Sequence, residues 1–205
     1  RGVWDHGGLG LYPGDWPRTA RLLRESGLKA VFVNALWAGR AHYPSLVVQP
    51  SAAVARHGDV LKSCTAAAAA EGLHVHLWKV CWNLSAASAE KTAELRKAGR
   101  LQVGHDGQER NWLCPSDPAN AAWELQAIQE ALARYPLAGI HLDYIRYPDA
   151  SACYCAGCRR RFSQWLAKPI RAWPDDVRAG AWRGAYTAWR RDQITTFVRA
   201  VRNAA

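Results

Sequence analysis

The chain has 205 residues, 49% of them hydrophobic and 21% charged, which supports a globular core and excludes an intrinsically disordered chain. It contains no run of about 18 apolar residues, so we expect no membrane span. The formal net charge is +10, concentrated in residues 159–205, but no nucleic-acid-binding motif accompanies it. We therefore interpret this charge as a solvated, arginine-rich helix surface and expect no nucleic-acid partner.

Short strands rich in Val, Ile and Leu alternate with helices along the chain. The pattern predicts strands at 1–4, 29–36, 73–80 and 139–146. It predicts helices at 15–26, 60–71, 90–98, 118–134, 159–167 and 174–203, with an inserted loop at 99–117. Such alternation implies parallel strands with helices packed outside them, and so an α/β fold.

Polar and aromatic side chains follow the end of every predicted strand and are not concentrated after the strands that would border a single crevice. In the strand at 73–80, His74, His76 and Trp78 share one face. This distribution favours a closed (β/α)8 TIM-type barrel over a doubly wound open sheet, because in a barrel the loops after all strands build one site. Only four βα units are present, so we predict that residues 1–205 form the N-terminal half of one barrel domain.

The stretch Gly139–Pro148 carries the strongest candidate for a catalytic group. His141 and Asp143 point to the same face of the predicted strand, and Asp143 lies toward its carboxyl end. Tyr144, Arg146 and Tyr147 follow, offering flat rings and hydrogen-bond donors of the kind that a sugar subsite uses. The structural alternative is that Asp143 caps the next helix or pairs with Arg146.

Three of the six cysteines, Cys153, Cys155 and Cys158, form a C-x-C-x-x-C motif. This spacing suits a metal site, for which Cys114 or a histidine would be the fourth ligand. A disulfide in an exported protein and a buried cluster without a ligand remain open as alternatives. None of the three interpretations is catalytic.

Four blocks of the sequence resemble the glycosyl-hydrolase-like family 10, bacterial glycosidase-like proteins with a (β/α)8 barrel. The blocks are Arg1–Trp4, Gly27–Val33 with Gly39–Ser45, Gly72–Trp78, and Trp112–Pro118 with Gly139–Pro148. The sequence departs from the family pattern at Asn34–Trp37, which carries fewer polar residues. It also stops after the fourth helix, whereas in related barrels the partner carboxylate follows a later strand.

The resemblance implies a glycoside hydrolase acting on a bacterial polysaccharide such as cell-wall glycan strands, with no cofactor. Asp143 would be the nucleophile or stabilising base, and the proton donor would lie beyond these residues. From the residues themselves, the candidate substrate-binding residues are His141, Arg146, Tyr144, Trp78 and His76, with weaker candidates at the rim in Arg40, Tyr43 and Asp5. A core role remains the alternative for His141 and Trp78. We expect the fragment alone to be inactive and the protein to be extracytoplasmic, its signal region outside this chain.

Two other function classes stay open at this point. One is a carbohydrate-binding barrel without catalysis. The other is a metal-dependent deacetylase-type barrel, for which His74, His76, His141 and Asp143 would be the ligands.

Overall fold

A largely parallel β-sheet is the main feature of the computed structural model, which describes residues 1–205. The chain contains eight strands: β1 (Gly2–Asp5), β2 (Ala30–Trp37), β3 (Arg40–Ala41), β4 (Gln49–Pro50), β5 (His74–Val80), β6 (Leu101–Val103), β7 (Glu109–Leu113) and β8 (Gly139–Asp143). The predicted α/β class is therefore observed, with four strands that the sequence pattern did not indicate.

Helices separate the main strands, as predicted. They are α1 (Trp16–Glu25), α2 (Ala52–His57), α3 (Val60–Ala70), α4 (Ala89–Lys97), α5 (Pro118–Arg134), α6 (Ala156–Leu166), α7 (Asp175–Arg178) and α8 (Arg183–Ala204). Local side chains set their starts, because the oxygens of Asp15, Ser51, Asp59 and Ser88 accept hydrogen bonds from first-turn amides. The single helix predicted for 174–203 is wrong, since α7 and α8 are separate.

The parallel strands β1, β2, β5 and β8 are neighbours in chain order. β3 pairs antiparallel with the end of β2, and β4 extends the sheet beyond it. The loop predicted for 99–117 is wrong, because β6 and β7 form an antiparallel hairpin there. β8 ends at Asp143 and not at residue 146, because Tyr144 adopts a left-handed backbone with φ of 52°.

The chain divides into two compact units, neither of which is continuous in sequence. The first comprises residues 1–81 and 126–143 with Ala205, and the second comprises 82–125 and 144–204. Val31, Val33 and Leu77 are buried in the first unit. Phe162, Tyr186 and Trp189 are buried in the second. None of the helices has the length and apolar character that crossing a membrane requires.

Candidate active site

One face of the parallel sheet is lined by aromatic and histidine side chains. The period-two alternation of the strands places Trp4, Phe32, His76, Trp78 and His141 there. The Phe32 ring stacks between its neighbours, with ring centroids 4.8 Å from Trp4 and 4.7 Å from His76. The Trp4 side chain remains 49% exposed, so an aromatic surface is open to solvent. We call this surface the aromatic face.

Asp143 lies at the carboxyl end of β8, beside the aromatic face. Its Oδ2 accepts a hydrogen bond of 3.1 Å from Nε1 of Trp78, and its backbone carbonyl accepts one of 2.9 Å from the Cys81 amide. The side chain is half-buried. A bond from a buried indole fixes the direction of the carboxylate, and this end of a parallel sheet is where α/β proteins carry their sites.

The two histidines of the aromatic face pack against other aromatic rings. His141 lies edge-on to Phe32 and Trp78, with centroids 5.4 Å and 5.9 Å away. Burial, with smaller contributions from His74 and His141, lowers the pKa of His76 below its ordinary value. His74, His76, His141 and Asp143 do not converge as a ligand set, which argues against the metal-dependent deacetylase alternative.

The loop after β1 is tied to the same edge of the sheet. Asp5 Oδ2 accepts a 2.8 Å hydrogen bond from the Gly10 amide, and Asn34 Nδ2 donates to the His6 carbonyl at 3.2 Å. The His6 ring packs edge-on against Trp78, with centroids 4.6 Å apart. Asp5 also lines a cavity of 330 Å³ in this unit. The predicted residue Asp5 therefore shapes the loop that contacts Trp78.

Gly8 in this loop has no room for a side chain. Its φ is +67°, and a Cβ atom would overlap the backbone carbonyl oxygen of Asn34 in β2. Gly8 is itself buried. The loop therefore approaches β2 at a distance that only glycine allows.

His42 also stabilises the loop after β1. Its Nε2 donates to the Gly7 carbonyl at 3.2 Å, and its Nδ1 lies 2.6 Å from Ser51 Oγ. In a neutral ring Nδ1 then accepts from the serine hydroxyl. Burial lowers the pKa of His42 below its ordinary value of 6.5, so the folded protein favours this neutral form.

We expect acidification below pH 6.5 to destabilise the protein in part through His42. Below pH 6.5 the unfolded chain binds a proton at His42 more readily than the folded chain does. The free energy of unfolding therefore decreases as the pH falls from the unfolded pKa of His42 toward its lower folded pKa. His42→Gln, which keeps a donor for Gly7, should reduce the decrease in Tm between pH 7.5 and 5.5 by about 2 °C or more. The exposed His57→Gln is the control; equal pH dependence in both variants would contradict the prediction.

Other sequence-predicted residues lie in the second unit, in the segment that follows Asp143 in the chain. Tyr144 is 38% exposed, and its ring centroid lies 5.3 Å from that of Trp112. The Arg146 guanidinium lies 5.3 Å from the Tyr144 ring and donates to the Pro148 carbonyl at 2.6 Å. Tyr144 and Trp112 thus offer rings against which a sugar can stack. Arg146 also lines a cavity of 540 Å³ together with Tyr147, Arg190 and Arg191.

The rim assignment of Tyr43 is wrong. Its side chain is fully buried, and its hydroxyl donates to the Ala127 carbonyl at 3.4 Å. Arg40 lies half-buried in β3, its Nε buried without a hydrogen-bond partner. The sequence analysis did not identify Trp4, Phe32 and His6 as parts of the aromatic face and its loop. Strand alternation could have found Trp4 and Phe32, which share a face with His76 once the strands are aligned.

The structure brings Cys114 together with the C-x-C-x-x-C motif. The four sulfur atoms of Cys114, Cys153, Cys155 and Cys158 all lie within 4.8 Å of one another, and all four residues are buried. Of the two fourth ligands considered from the sequence, Cys114 is therefore the one in place. Hydrogen bonds from the Cys114, Cys153 and Cys158 thiols hold the pKa of Cys155 far below its ordinary value, whereas burial raises the pKa of Cys153.

Solved structures with a similar fold include glycosidases. The chain aligns over its whole length with an α-L-fucosidase isoenzyme 2 from Paenibacillus thiaminolyticus, with a TM-score of 0.68 and 16% identity, and covers 30% of that chain. For the polyextremophilic β-galactosidase from Halorubrum lacusprofundi the TM-score is 0.61 and the identity 15%, covering 99% of this chain and 34% of that one. For a β-galactosidase from Rahnella sp. R3 the values are 0.61 and 17%, with coverage of 94% and 32%.

These similarities concern the fold, and the chain spans about a third of the length of those proteins. They show that the chain has an α/β fold that these glycosidases also contain. The chain belongs to the glycosyl hydrolase-like 10 family, whose sequence profile matches residues 18–204. No curated protein sequence matches it significantly.

Proposed function

We propose that the full-length protein is a glycoside hydrolase acting on a bacterial polysaccharide, with cell-wall glycan strands as the favoured substrate. The observation that carries this proposal is Asp143, a carboxylate at the carboxyl end of a parallel sheet, held by the Trp78 indole beside an exposed aromatic face. Membership of a glycosyl hydrolase-like family and the glycosidase fold of the structural neighbours support it.

We further propose that the parallel sheet is the first half of a (β/α)8 barrel. The strand order β1-β2-β5-β8 follows the chain without reversal, as successive strands of a barrel do, whereas a doubly wound sheet reverses at a switch point. Coverage of about a third of the similar glycosidases supports the same interpretation. In such a barrel the aromatic face would line the interior near the sugar.

Glycoside cleavage uses two carboxyl groups, one that protonates the leaving oxygen and one that attacks or stabilises the anomeric carbon. Asp143 takes the second role in this proposal, and the acid comes from the rest of the full-length protein. The Trp78 N–H keeps the Asp143 carboxylate pointing at the sugar, and the ring of Trp4 provides an exposed surface for stacking.

Three arginines that line one cavity of the second unit support an acidic glycan as substrate. They are Arg146, Arg190 and Arg191. Arginine binds carboxylates well, and cell-wall glycan strands carry carboxylate groups. An extracytoplasmic location is part of the proposal because this substrate lies outside the cytoplasm.

The test is incubation of the full-length protein with a panel of bacterial glycans, including glycan strands stripped of their peptides. Release of oligosaccharides is the expected result. The exposed Trp4 ring favours a second candidate, a carbohydrate-binding barrel without catalysis. Binding of the glycans without any release would support that candidate and overturn the hydrolase.

We expect Trp78→Phe to reduce kcat by roughly tenfold, because it removes the hydrogen bond to Asp143 while keeping a ring on the aromatic face. A charge-assisted hydrogen bond is worth about 1.5–3 kcal/mol, enough for an effect of this size. Trp165→Phe, at a position 52% exposed on α6, is the matched control. A kcat unchanged in Trp78→Phe would show that the indole does not position the carboxylate.

A further inference from the structure

The sulfur atoms of the four clustered cysteines are as close together as the ligands of one metal ion. A zinc–sulfur distance of about 2.3 Å requires neighbouring sulfurs to lie about 3.8 Å apart. The sulfur of Cys114 lies 3.5 Å from that of Cys158 and 3.9 Å from that of Cys155. All four sulfurs lie within 4.8 Å of one another. A disulfide bond joins only two sulfur atoms, so disulfide bonding does not explain why four sulfur atoms lie close together.

The groups around the cluster are those that stabilise a metal tetrathiolate. The Cys158 amide donates to the Cys155 sulfur at 3.4 Å, and Ser116 Oγ lies 3.2 Å from the Cys114 sulfur and 3.3 Å from that of Cys158. Arg161 Nη2 lies 3.8 Å from the Cys114 sulfur and 3.1 Å from Ser116 Oγ. Four thiolates around a divalent ion carry a net charge of about −2, which the neighbouring guanidinium offsets in part.

The cluster is closed to solvent, which distinguishes it from a reactive thiol site. The exposed fractions are 0% for Cys114, Cys153 and Cys158 and 5% for Cys155. Structural zinc sites have four protein ligands and no open position, whereas catalytic ones keep a position for water. We propose that Cys114, Cys153, Cys155 and Cys158 bind one structural zinc ion.

The ion would connect parts of the second unit that are distant in sequence. Cys114 follows β7, Cys153 belongs to the segment after β8, and Cys155 and Cys158 stand at the start of α6. The segment 144–155 has no helix or strand of its own and carries Tyr144, Arg146 and Tyr147. Zinc therefore fixes the far end of the segment that begins directly after Asp143.

The test is metal analysis of the full-length protein purified without chelators, together with cysteine variants. We expect about one zinc per chain in the wild type, and its loss in Cys153→Ala and Cys155→Ala. Cys64→Ala, which changes a buried cysteine outside the cluster, is the matched control and should retain the zinc. Removal of zinc by a strong chelator should lower Tm by on the order of 10 °C.

A measurement on the wild type keeps the proposal testable where the variants fail to fold. After chelation, added Co²⁺ should give the intense visible absorption of a tetrahedral tetrathiolate. Wild-type protein without zinc that also fails to bind Co²⁺ would overturn the site, as would disulfides among these cysteines. Iron at the stoichiometry expected for zinc would overturn the assignment of the ion, and zinc retained by Cys155→Ala would overturn the ligand set.

Discussion

Replacing Asp143 with asparagine is expected to reduce glycan cleavage by the full-length protein by about 10³-fold or more. The amide keeps the size of the carboxylate and an oxygen that can accept from Trp78, so the local structure should persist. What is lost is the negative charge that attacks or stabilises the anomeric carbon. A loss of 10³-fold corresponds to about 4 kcal/mol of transition-state stabilisation.

The measurement is the rate of oligosaccharide release, with glycan binding measured in parallel. Asp192→Asn is the control, because Asp192 is an exposed acid on α8. The control should keep its activity, and Asp143→Asn should still bind glycan. Activity of Asp143→Asn within a few-fold of the wild type would remove Asp143 from the chemistry.

Replacing Gly8 with alanine is expected to lower the free energy of unfolding by about 3–5 kcal/mol. Two costs add at this position. The φ of +67° is unfavourable for any residue with a Cβ, at about 1–2 kcal/mol. The added methyl would also overlap the Asn34 carbonyl oxygen, which belongs to the backbone of β2 and has no rotamer by which to move away.

Gly107→Ala separates these two costs. Gly107 has a similar φ of +76°, but a Cβ there would meet no atom within 4 Å. Denaturant unfolding of the two variants should therefore show a loss of about 1–2 kcal/mol for Gly107→Ala and a clearly larger one for Gly8→Ala. Equal losses would mean that the loop after β1 can move away from β2 at little cost.

The main strands and one face of the sheet were predictable from sequence. Alternation in β5 and β8 correctly placed His76 with Trp78, and His141 with Asp143, because side chains of a strand alternate between its faces. The alignment of these strands, which brings Trp78 to Asp143, depends on pairing between residues 65 positions apart. No local pattern contains that information.

The errors arise where local patterns give no signal. β6 has only three residues, and the five-residue β7 begins with Glu109, Arg110 and Asn111, so neither shows the pattern of a buried strand in sequence. The left-handed backbone of Tyr144 ends β8 early, although tyrosine rarely adopts it. Tyr43 follows a strand like a rim residue, but its ring packs against Tyr135 in the core. The sequence offered Cys114 as one candidate for the fourth member of the cysteine cluster, and only the structure places its sulfur beside the other three.

Neither compact unit is one continuous stretch of chain, which has a consequence for how the protein is made. β8 pairs with β5, so the first unit cannot complete its sheet until the ribosome has synthesised residue 143. By then the whole first stretch of the second unit, residues 82–125, has already been synthesised. Neither unit can be produced as one contiguous fragment, and a truncation between residues 81 and 139 would leave β5 with an unpaired edge that is prone to aggregation.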